Sequence, residues 1–215
     1  MNLRLFIIMI LLLCVQPIAA QLDAPLGEPS DSSSPPSPIQ SESFPLLDPR
    51  NYKDDTLGDE RITDDNKPLV FIISGKAKVV DGDTITINRT KIRFSGIDAP
   101  ESYYYGQTQY CQRPNGKIWA CGKKATSKLK ELINGQTVQC TDEGEDKYGR
   151  TLSICFANGV DLQSEMVRSG MAVAYLRYSR RYENEMVEAM TQRVGMWSGN
   201  FLDPEDWRRE NSVRD

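Results

Sequence analysis

Apolar residues are unevenly distributed along this chain, and their distribution limits which part of it can fold around a core. The stretch from Gln21 to Lys67 is rich in Pro, Ser and Asp and has too few clustered apolar residues to bury a core. We therefore interpret residues 21–67 as a disordered acidic spacer. A folded domain is expected over residues 68–210, with residues 211–215 as a tail, and this length suits a single hydrophobic core.

The first 20 residues have the pattern of a secretory signal peptide. Arg4 precedes an apolar run from Leu5 to Val15, and Ala19 and Ala20 supply the small residues of a cleavage site. The run is shorter than the ~20 residues that span a bilayer. We expect cleavage after Ala20, no stable membrane insertion afterwards, and a secreted or periplasmic protein. An uncleaved membrane anchor is the alternative.

The charge of the chain is divided in the same way as its apolar residues. The whole chain carries a net charge of −4. The spacer has four basic and eleven acidic residues, whereas the chain from Leu69 onward has 21 basic and 19 acidic residues. The predicted domain is therefore mildly basic and compatible with a polyanionic partner, although the small excess does not by itself indicate nucleic acid.

The cysteine and histidine counts restrict the chemistry. The chain has no histidine, which excludes mechanisms and metal sites that need imidazole. Four cysteines remain after signal cleavage, and an even number in an exported chain favours two disulfides. Cys140 and Cys155 flank a predicted turn and can face each other across a hairpin, so that Cys111 and Cys121 would close a short loop. A zinc site is the alternative, but the spacings do not fit a four-cysteine knuckle.

Short β-branched or alternating runs and three helical stripes define the expected fold. β-like runs occupy residues 69–73, 76–80, 84–87, 91–94, 137–141 and 151–157, and we expect five strands from them. Predicted helices cover residues 123–133, a short segment from the N-cap Asp161 to Gly170, and residues 182–194. This order favours the α+β class, with a five-stranded OB-fold (Greek-key) β-barrel and three packed helices.

Three segments supply acidic and basic residues suited to phosphodiester chemistry. Asp81 and Asp83 bracket Gly82 at a turn into a strand, and Asp98 ends a following strand, so the three carboxylates are expected to meet. Ligands that offer only oxygen favour Ca²⁺ or Mg²⁺. Taken alone, the same residues also suit a tight turn and a strand cap.

The neighbours of these carboxylates suggest further roles. Glu101 follows the stiff Pro100 and is placed to orient or deprotonate a water molecule. Arg93 and Arg150 suit a phosphate clamp, because a guanidinium contacts two oxygens at once. Tyr148 and Tyr175 suit base stacking. Each of these residues, considered singly, is also compatible with an ordinary surface or packing position.

Together, these segments resemble the staphylococcal nuclease family over residues 76–197. The resemblance implies that Asp83, Asp98 and the Ala99 carbonyl ligate Ca²⁺ with Asp81 nearby, that Glu101 activates water, and that Arg93 and Arg150 contact the phosphate. It also implies that Tyr148 and, less directly, Tyr175 contact the nucleotide. The implied activity is Ca²⁺-dependent, sequence-nonspecific hydrolysis of DNA and RNA to 3′-phosphate and 5′-hydroxyl ends. We also expect single-stranded or denatured substrates to be favoured and the protein to be a monomer.

Two departures from the best-known family member bear on this expectation. Ala99 stands where that enzyme has threonine, and the loop from Ser102 to Gly122 is longer and aromatic. The similarity of the carboxyl end to exported bacterial members supports the two disulfides. The alternative hypothesis is a catalytically silent OB-fold module that binds nucleic acid or a protein partner.

Overall fold

The computed structural model of the protein describes residues 70–212. The predicted signal peptide (1–20) and acidic spacer (21–67) lie outside the described residues. Within the described part, the chain forms eleven short strands, four α-helices and one 3₁₀ turn. The predicted α+β class is confirmed.

The elements follow one another in a fixed order. The strands are β1 (Phe71–Val79), β2 (Thr84–Ile87), β3 (Thr90–Phe94), β4 (Ile97–Asp98), β5 (Cys111–Gln112), β6 (Ile118–Trp119), β7 (Thr137–Thr141), β8 (Thr151–Ser153), β9 (Cys155–Ala157), β10 (Val160–Asp161) and β11 (Val173–Ala174). The helices are α1 (Cys121–Ile133), α2 (Leu162–Arg168), α3 (Glu183–Gln192) and α4 (Pro204–Asn211), with the 3₁₀ turn at Gly195–Ser198.

Seven of the strands form one mixed sheet in the order β10-β9-β7-β1-β2-β3-β8. Strand β3 pairs in parallel with β8, while β9 pairs in antiparallel with β7. Only Ile154 separates β8 from β9, so the run 151–157 pairs with β3 at its start and with β7 at its end. This double pairing is what a strand that closes a small barrel makes.

The first strand corrects one detail of the prediction. Residues 69–73 and 76–80 were expected as separate runs, but β1 continues through Ser74 and Gly75, which pair with Gln139 and Val138 of β7. A Cβ atom at Gly75 would lie 2.9 Å from a methyl group of Ile87. Glycine therefore serves close strand packing at this position and does not form a turn.

The helices agree with the prediction except for their number. Helix α1 ends at Asn134, which adopts the left-handed conformation of a C-cap, and the Asp161 side chain accepts hydrogen bonds from the backbone amides of Gln163 and Ser164 at the start of α2. The prediction of three helices is wrong, because α4 follows α3. The described residues contain no helix that is both long and apolar enough to cross a membrane.

Both predicted disulfides are present. Cys140 and Cys155 occupy paired positions on β7 and β9 and are bonded to each other. Cys111 and Cys121 join β5 to the first residue of α1. The second bond anchors the long loop that follows Glu101.

Candidate active site

The turn between β1 and β2 carries the first two carboxylates. The Asp83 amide donates to Oδ1 of Asp81 at 3.1 Å, and the Thr84 hydroxyl donates to Oδ1 of Asp83 at 3.1 Å. A Cβ atom at Gly82 would come within 2.8 Å of the Cβ atoms of Ala99 and Ala125. Only glycine lets this turn pack so closely on the segment that carries Asp98, so the tight turn and the assembly of the site are the same feature.

Arg93 joins the carboxylates of two different segments. On β3 this side chain is buried, and its Nη1 forms an ion pair with Oδ2 of Asp83. Its Nη2 donates to Oδ1 of Asp98 at 2.7 Å. The predicted meeting of Asp83 and Asp98 therefore occurs, with one guanidinium between them.

The segment after β4 places Glu101 beside this pair. The Ala99 amide donates to Oδ2 of Asp83 at 2.8 Å, which fixes the segment against the acidic turn. The Glu101 amide donates to the side chain of the buried Gln109 at 3.2 Å. A Cβ atom at Gly122 would collide with the Glu101 carbonyl, so the first turn of α1 packs directly on the Glu101 backbone.

A second arginine, which the sequence analysis did not identify, reaches the same carboxylates from α4. Arg208 Nη2 donates to Oδ2 of Asp98 at 2.6 Å, and Arg208 Nη1 donates to Oδ1 of Asp98 at 3.0 Å and to Oε1 of Glu101 at 2.8 Å. The helix itself has a readable signal in Asp203-Pro204-Glu205, an N-cap followed by proline and an acidic first turn. Nothing local indicates that Arg208 contacts Asp98.

Burial and charge shift the protonation of these groups in different directions. Burial raises the pKa of Asp81 to about 7, and the neighbouring charge of Asp83 adds to this effect. Burial also raises the pKa of Asp98 and of Glu101 above their ordinary values, although both accept hydrogen bonds from Arg208. For Asp83, burial is outweighed by Arg93 and by the Ala99 amide, so its pKa is lowered.

Both arginines remain charged. Burial alone would lower the pKa of Arg93, but Asp83 and Asp98 outweigh it and raise the pKa of this guanidinium. Burial of Arg208 is likewise outweighed by Asp98 and Glu101, which raise its pKa. Several ionisable groups with shifted pKa values therefore lie together here, and such clusters are typical of functional sites.

Arg150 lies in the turn before β8 and contacts a different carboxylate. Its Nε donates to Oδ2 of Asp146 at 2.6 Å, and its guanidinium lies 5.6 Å from the centre of the Tyr148 ring. The next residue, Thr151, pairs with Ile92, the neighbour of Arg93 on β3. The fold thus brings the Arg150 backbone close to the strand of Arg93, while its side chain is not joined to the carboxylate cluster.

The two tyrosines predicted to bind nucleotides occupy different environments. The side chain of Tyr148 is 72% exposed. Tyr175 is half-buried and lies edge-on to Tyr178 with ring centres 4.7 Å apart. Burial, together with a hydrogen bond to Glu205 of α4, raises the pKa of Tyr175. Tyr148 is therefore the more accessible of the two rings.

The donor set fits a hard divalent cation by its chemistry. Asp81, Asp83, Asp98 and Glu101 supply only oxygen, and their four carboxylates are opposed by the two guanidiniums of Arg93 and Arg208, which leaves an excess of two acidic groups. Among residues 70–212, however, no three acidic, histidine or cysteine side chains converge as a ready-made metal site. Arginine nitrogens lie where the carboxylate oxygens meet.

Comparison with known proteins identifies relatives of this chain. Residues 91–199 match the family model described as "Staphylococcal nuclease homologue". An "Uncharacterized endonuclease" of Haemophilus influenzae is 32% identical over 144 residues, covering 63% of this chain and 72% of that protein. A "Micrococcal nuclease" of Shigella flexneri is 35% identical over 150 residues, covering 61% and 78%.

A third relative carries a different name. The "Succinoglycan biosynthesis protein ExoI" of Rhizobium meliloti is 33% identical over 140 residues, covering 64% of this chain and 66% of that protein. The family match includes Arg93, Asp98, Glu101 and Arg150. It begins after Asp83 and ends before α4.

Proposed function

The chain belongs to the staphylococcal nuclease family, and we propose that it is an exported, Ca²⁺-dependent nuclease that hydrolyses DNA and RNA without sequence specificity. The observation that carries the proposal is the buried bridge of Arg93 between Asp83 and Asp98, with Glu101 beside it. Removing such charges from water is expensive, and apolar residues would stabilise the same space at lower cost. The presence of buried charged residues at this position therefore supports a catalytic role.

The residues proposed to hold the cation are Asp83, Asp98 and the Ala99 carbonyl, with Asp81 nearby. When bound there, a hard divalent cation lowers the pKa of water and offsets negative charge on a phosphate. The chain itself supplies the acidic oxygens and the turn around Gly82 that holds them together.

Glu101 is the proposed general base. Burial raises the pKa of its carboxyl group, which brings it closer to the range where a carboxylate accepts a proton efficiently near neutral pH. Glu101 takes a proton from water, the water oxygen bonds to phosphorus, and the bond from phosphorus to the 5′ oxygen breaks. The departing 5′ oxygen takes up a proton, in net terms the one that Glu101 removed from water, which leaves 3′-phosphate and 5′-hydroxyl ends and Glu101 ionised again.

Arg93 and Arg150 are the proposed phosphate-binding groups. Charge develops on the phosphate oxygens in the transition state, and guanidiniums aimed at those oxygens stabilise it. For Arg150 this role requires the side chain to leave Asp146, with which it forms a partly buried ion pair. Arg93 needs no such movement to remain beside Asp98.

The accessible ring of Tyr148 supports a preference for unpaired bases. Bases in single-stranded or denatured nucleic acid have free faces that stack on tyrosine. Lys147 lies 5.0 Å from the same ring and adds positive charge there. Tyr175 is the proposed second nucleotide contact.

The two disulfides support export to a secreted or periplasmic location, because such bonds persist in oxidising compartments. We propose that the protein acts there as a monomer. A catalytically silent binding module is the alternative, and it predicts binding of nucleic acid without cleavage.

The test is digestion of denatured DNA and of RNA by the purified chain in Ca²⁺ and in excess EGTA. We expect cleavage only in Ca²⁺, new 3′-phosphate ends, and a loss of cleavage of about 10³-fold in Glu101→Gln. Glu131→Gln is the matched control, because this exposed glutamate pairs with Lys128 on α1, away from the carboxylate cluster. Undiminished cleavage in EGTA would remove the calcium mechanism, and binding without cleavage would favour the silent module.

A further inference from the structure

Helix α4 is attached to the domain mainly by polar contacts. Pro204 is its only buried residue. Trp207 lies edge-on to Tyr104, with ring centres 6.1 Å apart, and Glu205 pairs with the exposed Arg177 at 2.7 Å. With so little buried apolar surface, α4 depends for its position largely on polar contacts such as those of Arg208.

The segment before α4 is held more firmly. The buried Gln109 donates from Nε2 to the Leu202 carbonyl at 2.7 Å, and its Oε1 accepts from the Glu101 amide. Phe201 is part of the core. The chain is therefore anchored up to residue 202, and movement of α4 would begin after that point.

Arg208 uses the oxygens that the proposed calcium site requires. Its two terminal nitrogens contact both oxygens of Asp98 and Oε1 of Glu101. A guanidinium and a divalent cation repel each other, and both seek the same lone pairs. Arg93 contacts Asp98 through Oδ1, whereas Arg208 Nη2 occupies Oδ2, so a cation that binds Oδ2 competes with Arg208 and leaves the Arg93 contact in place.

We propose that Arg208 is an internal competitor of the divalent cation, so that cation binding at Asp98 releases Arg208 and α4 from the active site. This inference rests on the proposed calcium-dependent function. Arg208 neutralises Asp98 and holds Glu101 until the cation takes its place. Helix α4 would therefore leave Glu101 accessible only when the cation is bound.

The first test is calorimetric titration of the full chain with Ca²⁺. Arg208→Gln removes the competitor, and we expect it to bind Ca²⁺ about 10-fold more tightly or better than the unaltered protein. Arg209→Gln is the matched control, because Arg209 is the next residue of α4 and pairs with Asp206. This substitution removes the same charge from a residue that does not contact the carboxylate cluster, so we expect the affinity for Ca²⁺ to change by less than about 2-fold.

The second test needs no substitution and follows amide hydrogen exchange in residues 203–212 with and without Ca²⁺. Release of Arg208 predicts faster exchange of the α4 amides in Ca²⁺, while residues of β1 to β3 exchange at unchanged or slower rates. Unchanged exchange in α4 under saturating Ca²⁺, or equal affinities of the Arg208 and Arg209 variants, would overturn the inference.

These outcomes are distinguishable from failure of the proposed function. A protein that binds no Ca²⁺ and cleaves no nucleic acid contradicts both proposals. A protein that binds Ca²⁺ and cleaves nucleic acid, but whose α4 amides stay protected from hydrogen exchange, contradicts only the role of Arg208.

Discussion

Arg208 donates a 2.6 Å hydrogen bond from Nη2 to Oδ2 of Asp98, although the two residues are 110 positions apart in the chain. This contact brings the last described helix onto the segment that ends β4. Asp98 consequently accepts hydrogen bonds from two arginines of different elements. The balance of charge around Asp98 therefore depends on the position of α4, a helix with little buried surface.

Replacing Arg93 is expected to destabilise the fold. Arg93→Ala leaves Asp83 and Asp98 buried without the cation between them, and the free energy of unfolding should fall by about 3–5 kcal/mol at pH 7. Urea denaturation in EGTA measures this. Arg168→Ala, which removes a surface arginine, is the control. A loss below about 1 kcal/mol would show that the two carboxylates do not need Arg93 for stability.

Asp81 is expected to make stability depend on pH. Its pKa is about 7 in the folded protein, against 3.8 as the ordinary value. The folded state therefore binds more protons than the unfolded state between these values, and this group's contribution to stability is lost as the pH rises from about 4 to 7. In EGTA, Asp81→Asn should gain stability relative to the unaltered protein across that range. Parallel pH profiles in urea denaturation would contradict the shift.

Loss of Arg150 is expected to reduce catalysis without affecting the fold. Arg150→Ala should lower the rate of cleavage by about 10³-fold, because the guanidinium that stabilises the charge developing on the phosphate oxygens in the transition state is lost. The free energy of unfolding should fall less than on loss of Arg93, because only one partly buried pair, with Asp146, is lost. Single-turnover cleavage and urea denaturation separate the two effects. A rate within about 3-fold of the original would exclude this role.

Tyr148 is expected to contribute to substrate binding. Tyr148→Ala should raise the KM for single-stranded DNA by about 5-fold or more, because a stacking platform for one base is lost. Tyr148→Phe keeps the ring and should behave as the original protein. If both variants lower kcat and leave KM unchanged, the tyrosine serves catalysis and not stacking.

The disulfide between Cys140 and Cys155 is expected to stabilise the sheet. It joins β7 to β9 across 15 residues, a loop for which the loss of chain entropy predicts about 3 kcal/mol. The double variant Cys140→Ala, Cys155→Ala should unfold at correspondingly lower urea concentration. An unchanged midpoint would show that the hairpin is held by its hydrogen bonds and packing alone.

Most regular elements were predictable because their signals are local. Asp161 caps α2, and Asn134 ends α1 as the pattern of the chain indicates. The break expected between residues 73 and 76 is absent, because Gly75 stays in the strand and packs against Ile87, a residue of another strand. Helix α4 was missed because it has few apolar residues, although its N-terminal capping pattern was readable.

The candidate site was predictable in its residue types and only partly in its contacts. Asp83, Asp98 and Glu101 lie together as expected, whereas Arg150 pairs with Asp146 and Tyr148. The role of Arg208 had no signal in neighbouring residues. Its contact is long-range, and such contacts form only when separate elements pack.

The amino-acid sequence alone determined the available chemistry: carboxylates and guanidiniums without imidazole, and four cysteines beyond residue 20. These are properties of residue types and hold in any conformation. Only the tertiary structure decided which arginine neutralises which carboxylate, and it placed Arg93 and Arg208 around Asp98. Electrostatic pairing acts over a few ångströms of space, and the distance along the chain does not determine it.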